Sequence, residues 1–289
     1  MRVILAEKYL NDTDLLSPVS KGNASCETVR LGFTLAEVLI TLGIIGVVAA
    51  MTMPSLIANY RIQKYENQLK KTYTTVTNGF KMMMAKEECT DIECLGIFNS
   101  GGDRDSEFNN KIDEAVRQTF NAIKTCKAGD TSAECQGYKV KHLKSATGQT
   151  SNEFPTSRYK FYLPDGAIVS LQNNYNNVNY PNSVRFSKHY SYVTVDINGK
   201  ELPNTFGIDV HSLGRLYNTG DLISPVALES VKADTGSLNP ASSGKYWKNN
   251  AQQCGKANVK TRNDPTGHIE GQNCFARIME NNFTMDYLR

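Results

Sequence analysis

The chain carries little of what marks an enzyme or a nucleic-acid binder. Its 32 Lys and Arg against 29 Asp and Glu leave a formal charge of +3 over 289 residues. No basic run or RNA-binding motif concentrates that charge, so no nucleic acid is expected as a partner. The four histidines, His142, His189, His211 and His268, stand apart without H-x-x-x-H or H-E-x-x-H spacing. A G-x-S-x-G elbow and a phosphate-binding loop are also missing. The expectation is a protein that is not an enzyme. Repeats of solenoid length are absent too. With 40% hydrophobic residues, the chain supports one medium domain plus an appendage, or two small domains.

What the sequence does have is unevenly placed. From Leu35 to Ala58 nearly every residue is Leu, Ile, Val, Ala, Gly or Met, and Glu37 is the one ionisable side chain. At 1.5 Å per residue such a helix is about 36 Å long, enough to cross a bilayer core of about 30 Å. Beyond Asn59, apolar or aromatic residues recur at Tyr60, Ile62, Tyr65, Leu69, Tyr73, Val76, Phe80, Met83 and Met84. That spacing predicts an amphipathic continuation of the same helix to about Glu88.

A secretory signal cut after Ala50, or a plain signal anchor, accounts for the apolar length but not for Glu37. A carboxylate inside a spanning helix costs on the order of 3 kcal/mol, so it needs a partner, and no Lys, Arg or His lies near it. The run Gly32-Phe33-Thr34-Leu35-Ala36-Glu37 resembles the processing motif of type IV pilins and of the pseudopilins of type II secretion. The resemblance covers Arg30 to roughly Glu88. It implies that a prepilin peptidase cuts between Gly32 and Phe33 and then N-methylates Phe33. It further implies that Glu37 pairs with the Phe33 amine of a neighbouring subunit, a pairing that relieves both charges in an apolar setting. Pro54 stands where the family's helix has its proline, with Gly43 and Gly46 upstream, so this section can bend or loosen during packing. Gly43 and Gly46 also fit ordinary transmembrane helix packing. Two departures are Ala36, where the family has a larger aliphatic residue, and a leader less basic than the family's, with Arg2, Lys8, Lys21 and Arg30 set against Glu7, Asp12, Asp14 and Glu27.

Of seven cysteines, Cys26 falls in the leader. Six allow fifteen connectivities, and the expected pairing is between nearest neighbours: Cys89 with Cys94, Cys126 with Cys135, and Cys254 with Cys274. A zinc site is the rival, but these spacings are not those of zinc knuckles. The head reads as α+β. A second helix is predicted over the stretch from Glu107 to Cys126, with Phe108, Ile112, Ala115, Val116, Phe120 and Ile123 on one face, closed by Gly129. One hairpin turns at Pro164-Asp165-Gly166, and a second at Asn198-Gly199. Between them the Asn-rich stretch from Leu171 to Phe186 reads as a surface loop, and so does Ser224 to Thr266. A short helix closes the chain through Phe275, Ile278, Met279 and Phe283.

Asp196, Asn198, Glu201 and Asp209 offer oxygen ligands in a segment that resembles the D-x-N-G region of pilin-like heads, where some major pseudopilins carry calcium. D-x-N-G is also how a hairpin turn is written, and calcium is a candidate cofactor beside that plainer reading.

The expected organisation is a leader over 1–32, a transmembrane helix over 33–58, an amphipathic continuation over 59–88 and an exported head over 89–289. The resemblance implies a ladle-shaped α+β subunit, with the long helix laid against a small antiparallel sheet. Such a subunit sits as a single pass in the inner membrane, its head on the periplasmic or extracellular side, and joins other pilin or pseudopilin subunits in a helical filament. The filament is expected to be a type II secretion pseudopilus or a related one. The alternatives are a type IV pilin for adhesion, motility or DNA uptake, and a simple membrane-anchored extracytoplasmic binding domain.

Overall fold

The computed structural model describes residues 33–90, 94–99, 105–144, 148, 150–175, 189–216, 222–224, 254, 271–272 and 274–289. The leader with Gly32 and Cys26, the Asn-rich stretch from 176 to its end at 186, His268, and most of the stretch from Ser224 to Thr266 lie outside the described residues. Contacts divide the chain into two units, Met1–Met53 and Pro54–Arg289.

Helix α1 runs unbroken over Leu35–Lys86, with Pro54 inside it. Its first turn is closed by Thr34 and Glu37. In the unit before Pro54 the apolar side chains are exposed, from Phe33 at 89% through Leu39 at 61% to Met53 at 56%. The segment is long and apolar enough to cross a membrane.

In the second unit α1 buries one stripe, made of Ile62, Leu69, Thr72, Val76, Gly79, Phe80 and Met83. These recur at spacings of three, four and seven, as a single buried face requires. Each large apolar member contributes roughly 1.5–3 kcal/mol by leaving water. Helix α2, Ser106–Thr119, is capped by Asp105, whose side chain accepts from the N–H groups of Glu107 and Phe108. It buries Phe108, Ile112 and Val116 in the same core. Phe120 packs edge-on against Phe80 and Phe161.

The main sheet has six antiparallel strands in the order β1-β4-β5-β6-β7-β8: β1 Lys124–Cys126, β4 Tyr159–Tyr162, β5 Ile168–Tyr175, β6 His189–Asp196, β7 Val210–Leu216 and β8 Ile223–Ser224. Strands β2 Tyr138–Lys141 and β3 Thr150–Phe154 form a separate two-stranded ribbon. Val193, Val195 and Leu213 join the core that contains the α1 stripe. Ile168 and Val210 instead meet Val140 and Phe154 of the ribbon in a second, smaller core. Both sheet faces are therefore covered where these clusters lie, the second by an element that no sequence signal announced. Helix α3, Cys274–Glu280, adds Phe275 and Ile278 to the main core. The tail beyond it is fixed to α1, because Glu66 accepts the Met285 N–H at 2.7 Å and pairs with Arg289 at 3.0 Å.

Three expectations are corrected. Helix α2 ends at Thr119 rather than near Gly129: Asn121 takes the left-handed conformation (φ 50°), a common helix stop. The Ile123 N–H then bonds the Tyr162 carbonyl and starts β1, so Ile123 is 68% exposed rather than on a buried helical face. Leu171 to Tyr175 belong to β5 rather than to a loop, and Asn173 is buried. Asn198-Gly199 does not join a two-residue hairpin. β6 pairs with β7, and the whole of 197–209 connects them.

Candidate functional site

Phe33, where cleavage would place the new terminus, precedes the first turn of α1. The Thr34 N–H and hydroxyl donate to Glu37 Oε2 at 2.8 and 2.9 Å, and the Glu37 N–H donates back to Thr34 Oγ1 at 3.2 Å. This is a reciprocal capping box, which satisfies donors that a helix start leaves open. Sequence reasoning read Glu37 only as a charge, although Thr-x-x-Glu is the written signature of such a box. The box supplies hydrogen bonds but no opposite charge. Gly32 lies outside the described residues.

The carboxylates of Asp196 and Asp209 lie at the two ends of the 197–209 connection, and both are fully buried. Asp196 stands between Ile168 and Val210 in the sheet register, so it is surrounded by the second apolar core. Its Oδ2 accepts the Tyr138 hydroxyl at 2.8 Å and its Oδ1 accepts the Asn198 N–H at 3.3 Å. Asp209 accepts the N–H groups of Thr205 at 2.6 Å and Asn204 at 2.8 Å. Asn198 lies between the two. In one orientation its amide nitrogen donates to Asp196 Oδ1 at 2.8 Å and to Asp209 Oδ2 at 3.2 Å. In the other, its nitrogen donates to the Glu201 carbonyl at 3.3 Å and its oxygen faces both carboxylates without a donor, so in the ion-free head the first orientation is the satisfied one.

Burial pushes the Asp196 carboxyl well above the usual carboxylate range, and the charge of Asp209 adds to this. Burial also raises Asp209, against the lowering effect of the Thr205 and Asn204 N–H groups. Among the described residues no Lys or Arg forms an ion pair with either. Nearby, the side-chain oxygen of Asn204 is buried without a hydrogen-bond partner. Two buried carboxylates and unclaimed oxygen lone pairs fit a hard cation such as calcium. Glu201 contributes its main-chain carbonyl here, and its side chain is exposed.

The cysteines pair as Cys89–Cys94, Cys126–Cys135 and Cys254–Cys274. Cys126, Asp130 and Cys135 bring ligand atoms within 4.8 Å of one another, but both sulfurs are in a disulfide and neither is a thiolate. The two histidines whose side chains are described have separate partners. His142 meets Ser151 Oγ at 2.7 Å, and His211 is buried with Nε2 donating to the Ile208 carbonyl at 3.2 Å. Burial lowers the His211 pKa to about 4, so it stays neutral. His189 lies at the first position of β6.

No family model, curated protein or solved structure matches the chain.

Proposed function

We propose that this chain is a pilin-like structural subunit, cut after Gly32 by a prepilin peptidase, methylated on Phe33 and assembled through α1 into a type II secretion pseudopilus or a related filament. The observation that carries the reading is the first half of α1. It pairs a membrane-length apolar surface that stays exposed among the described residues with a carboxylate whose described partners are neutral. In the filament the Phe33 amine of a neighbour supplies the missing positive charge, and stacking in one head-to-tail direction leaves assembly open-ended. Filaments sheared from the protein's own host test this. Glu37→Ala is expected to remove the chain from the sheared fraction while its membrane level holds. An unchanged sheared fraction, or no filament with the native chain, fits a simple anchor instead.

We also propose that Asp196, Asp209 and Asn198 hold calcium in the head, with main-chain carbonyls of 197–209 completing the oxygen set. Bound calcium would neutralise the buried pair and fix the β6–β7 connection. Without it, both raised carboxyls stabilise the fold below their usual pKa of 3.8, and that contribution is lost as pH rises through their folded values. His211 acts in the opposite sense, because its contribution is present above 6.5 and lost as pH falls toward about 4. In calcium-free buffer Asp196→Asn should therefore raise the neutral-pH unfolding temperature. Calcium at 100 times its dissociation constant should stabilise the native chain by about 2.7 kcal/mol. An equal calcium response in Asp196→Asn, or none in the native chain, contradicts the site.

A further inference from the structure

Lys160 is the buried lysine among the described residues of the head. It is 2% exposed and lies on β4, where its Cα partner in the sheet is Cys126 of β1. Its Nζ donates to the main-chain carbonyl of Cys135 at 2.6 Å. The lysine thus touches both ends of one disulfide, cross-strand to Cys126 and by hydrogen bond to Cys135. Both cysteines are themselves buried.

The loop they close is built to receive cations. A tight turn bonds the N–H groups of Cys135 and Gln136 back to the Ser132 carbonyl at 2.9 Å. Lys200 Nζ takes the carbonyls of Ala133 at 3.3 Å and Glu134 at 2.7 Å. The Tyr162 hydroxyl adds a second bond to Glu134 O, and the Glu134 carboxylate pairs with Lys124. Three lysines therefore converge on one short loop, and the innermost depends on the carbonyl of a disulfide cysteine. Burial, with Lys200 nearby, pushes the Lys160 ammonium down to about 8 against the opposing pull of the Asp130 charge, so the charge is held against its own desolvation. The same ammonium groups argue against a zinc ion among Cys126, Asp130 and Cys135, since an added dication would face them.

We propose that the Cys126–Cys135 disulfide is the lock of a redox-sensitive cradle: closing it seats the Lys160 side chain inside the head, and opening it releases that side chain to solvent. In closure the two thiols lose two protons and two electrons to an external disulfide, which leaves as two thiols while the Cys126–Cys135 bond forms. In the reduced chain the loop keeps its Lys200, Lys124 and Tyr162 contacts but loses its covalent tie; in the proposed device the Cys135 carbonyl then draws away, and an ammonium that loses it leaves the interior or gives up its proton. The device is independent of calcium. If the head is exported, as the pilin-like reading requires, it finishes folding only where an oxidant is present.

The test is amine acetylation of the full chain in detergent micelles, read residue by residue by peptide mass spectrometry. In the oxidised native chain Lys160 should react at least about tenfold more slowly than exposed Lys81. The double variant Cys126→Ser/Cys135→Ser should remove that protection, and Cys89→Ser/Cys94→Ser should keep it. Protection that survives in Cys126→Ser/Cys135→Ser, or native Lys160 reacting at the rate of Lys81, overturns the proposal. If Cys126→Ser/Cys135→Ser fails to fold, Lys160→Met is added to it. Restored cooperative unfolding supports the cradle, and continued failure overturns it, because the disulfide would then be needed whatever residue lies beneath.

Discussion

The two halves of α1 are one continuous helix and obey different rules. Before Pro54 the apolar residues surround the helix and stay exposed in the single chain. From Ile62 onward they keep to one stripe, and that stripe is buried by α2, the sheet and α3. A helix apolar on every side finds its cover outside its own chain, in lipid or in other subunits, whereas an amphipathic one finds it at home. Glu37 sharpens the contrast with Glu66. The latter is closed by Arg289 and the Met285 N–H of the same chain, while the former, among the described residues, is bonded to the neutral Thr34.

The largest effect that would break this comparison is at Leu69, which is fully buried. Leu69→Ala should cost the head about 2–5 kcal/mol in denaturant unfolding. Leu39→Ala, at a residue 61% exposed, should leave head stability within about 0.5 kcal/mol and weaken assembly instead. Equal losses would mean that the first half has a partner within the chain. A smaller effect is expected at Gly79, where α1 lies against Phe120: an added Cβ would come 2.2 Å from Phe120 Cε1. Gly79→Ala gains about 1 kcal/mol of helix propensity but meets an overpacking cost of about 1–3 kcal/mol. A net loss, recovered when Phe120→Leu is added, is the predicted outcome in thermal melts. A net gain would show that the ring moves aside freely.

Periodicity made α1 legible, because its stripe is long and regular, and Pro164-Asp165-Gly166 announced the β4–β5 hairpin in the same local way. The misses were where tertiary contacts decide. The end of α2 depends on Ile123 bonding to Tyr162 of a later strand. The Asn-rich part of β5 is a strand because β6 pairs with it, against the turn preference of its residues. Asn198-Gly199 satisfies a hairpin signal, yet Gly199 (φ 71°) opens a longer connection, and a Cβ there would meet the Gly166 carbonyl at 2.8 Å. At the candidate sites, Asp196, Asn198 and Asp209 were legible as oxygen ligands, but the enclosure of Asp196 involves Tyr138 of the β2–β3 ribbon, which no pattern revealed. The cradle around Lys160 was illegible for the same reason, since its parts come from β1, β4 and two separate loops.

The central claim is that α1 is the processed terminus of a filament subunit. Intact-mass and N-terminal analysis of the protein purified from its own host's membranes tests it most directly. A chain that begins at a methylated Phe33 is the predicted result; one that begins at Met51, or that keeps residues 1–32, contradicts the account.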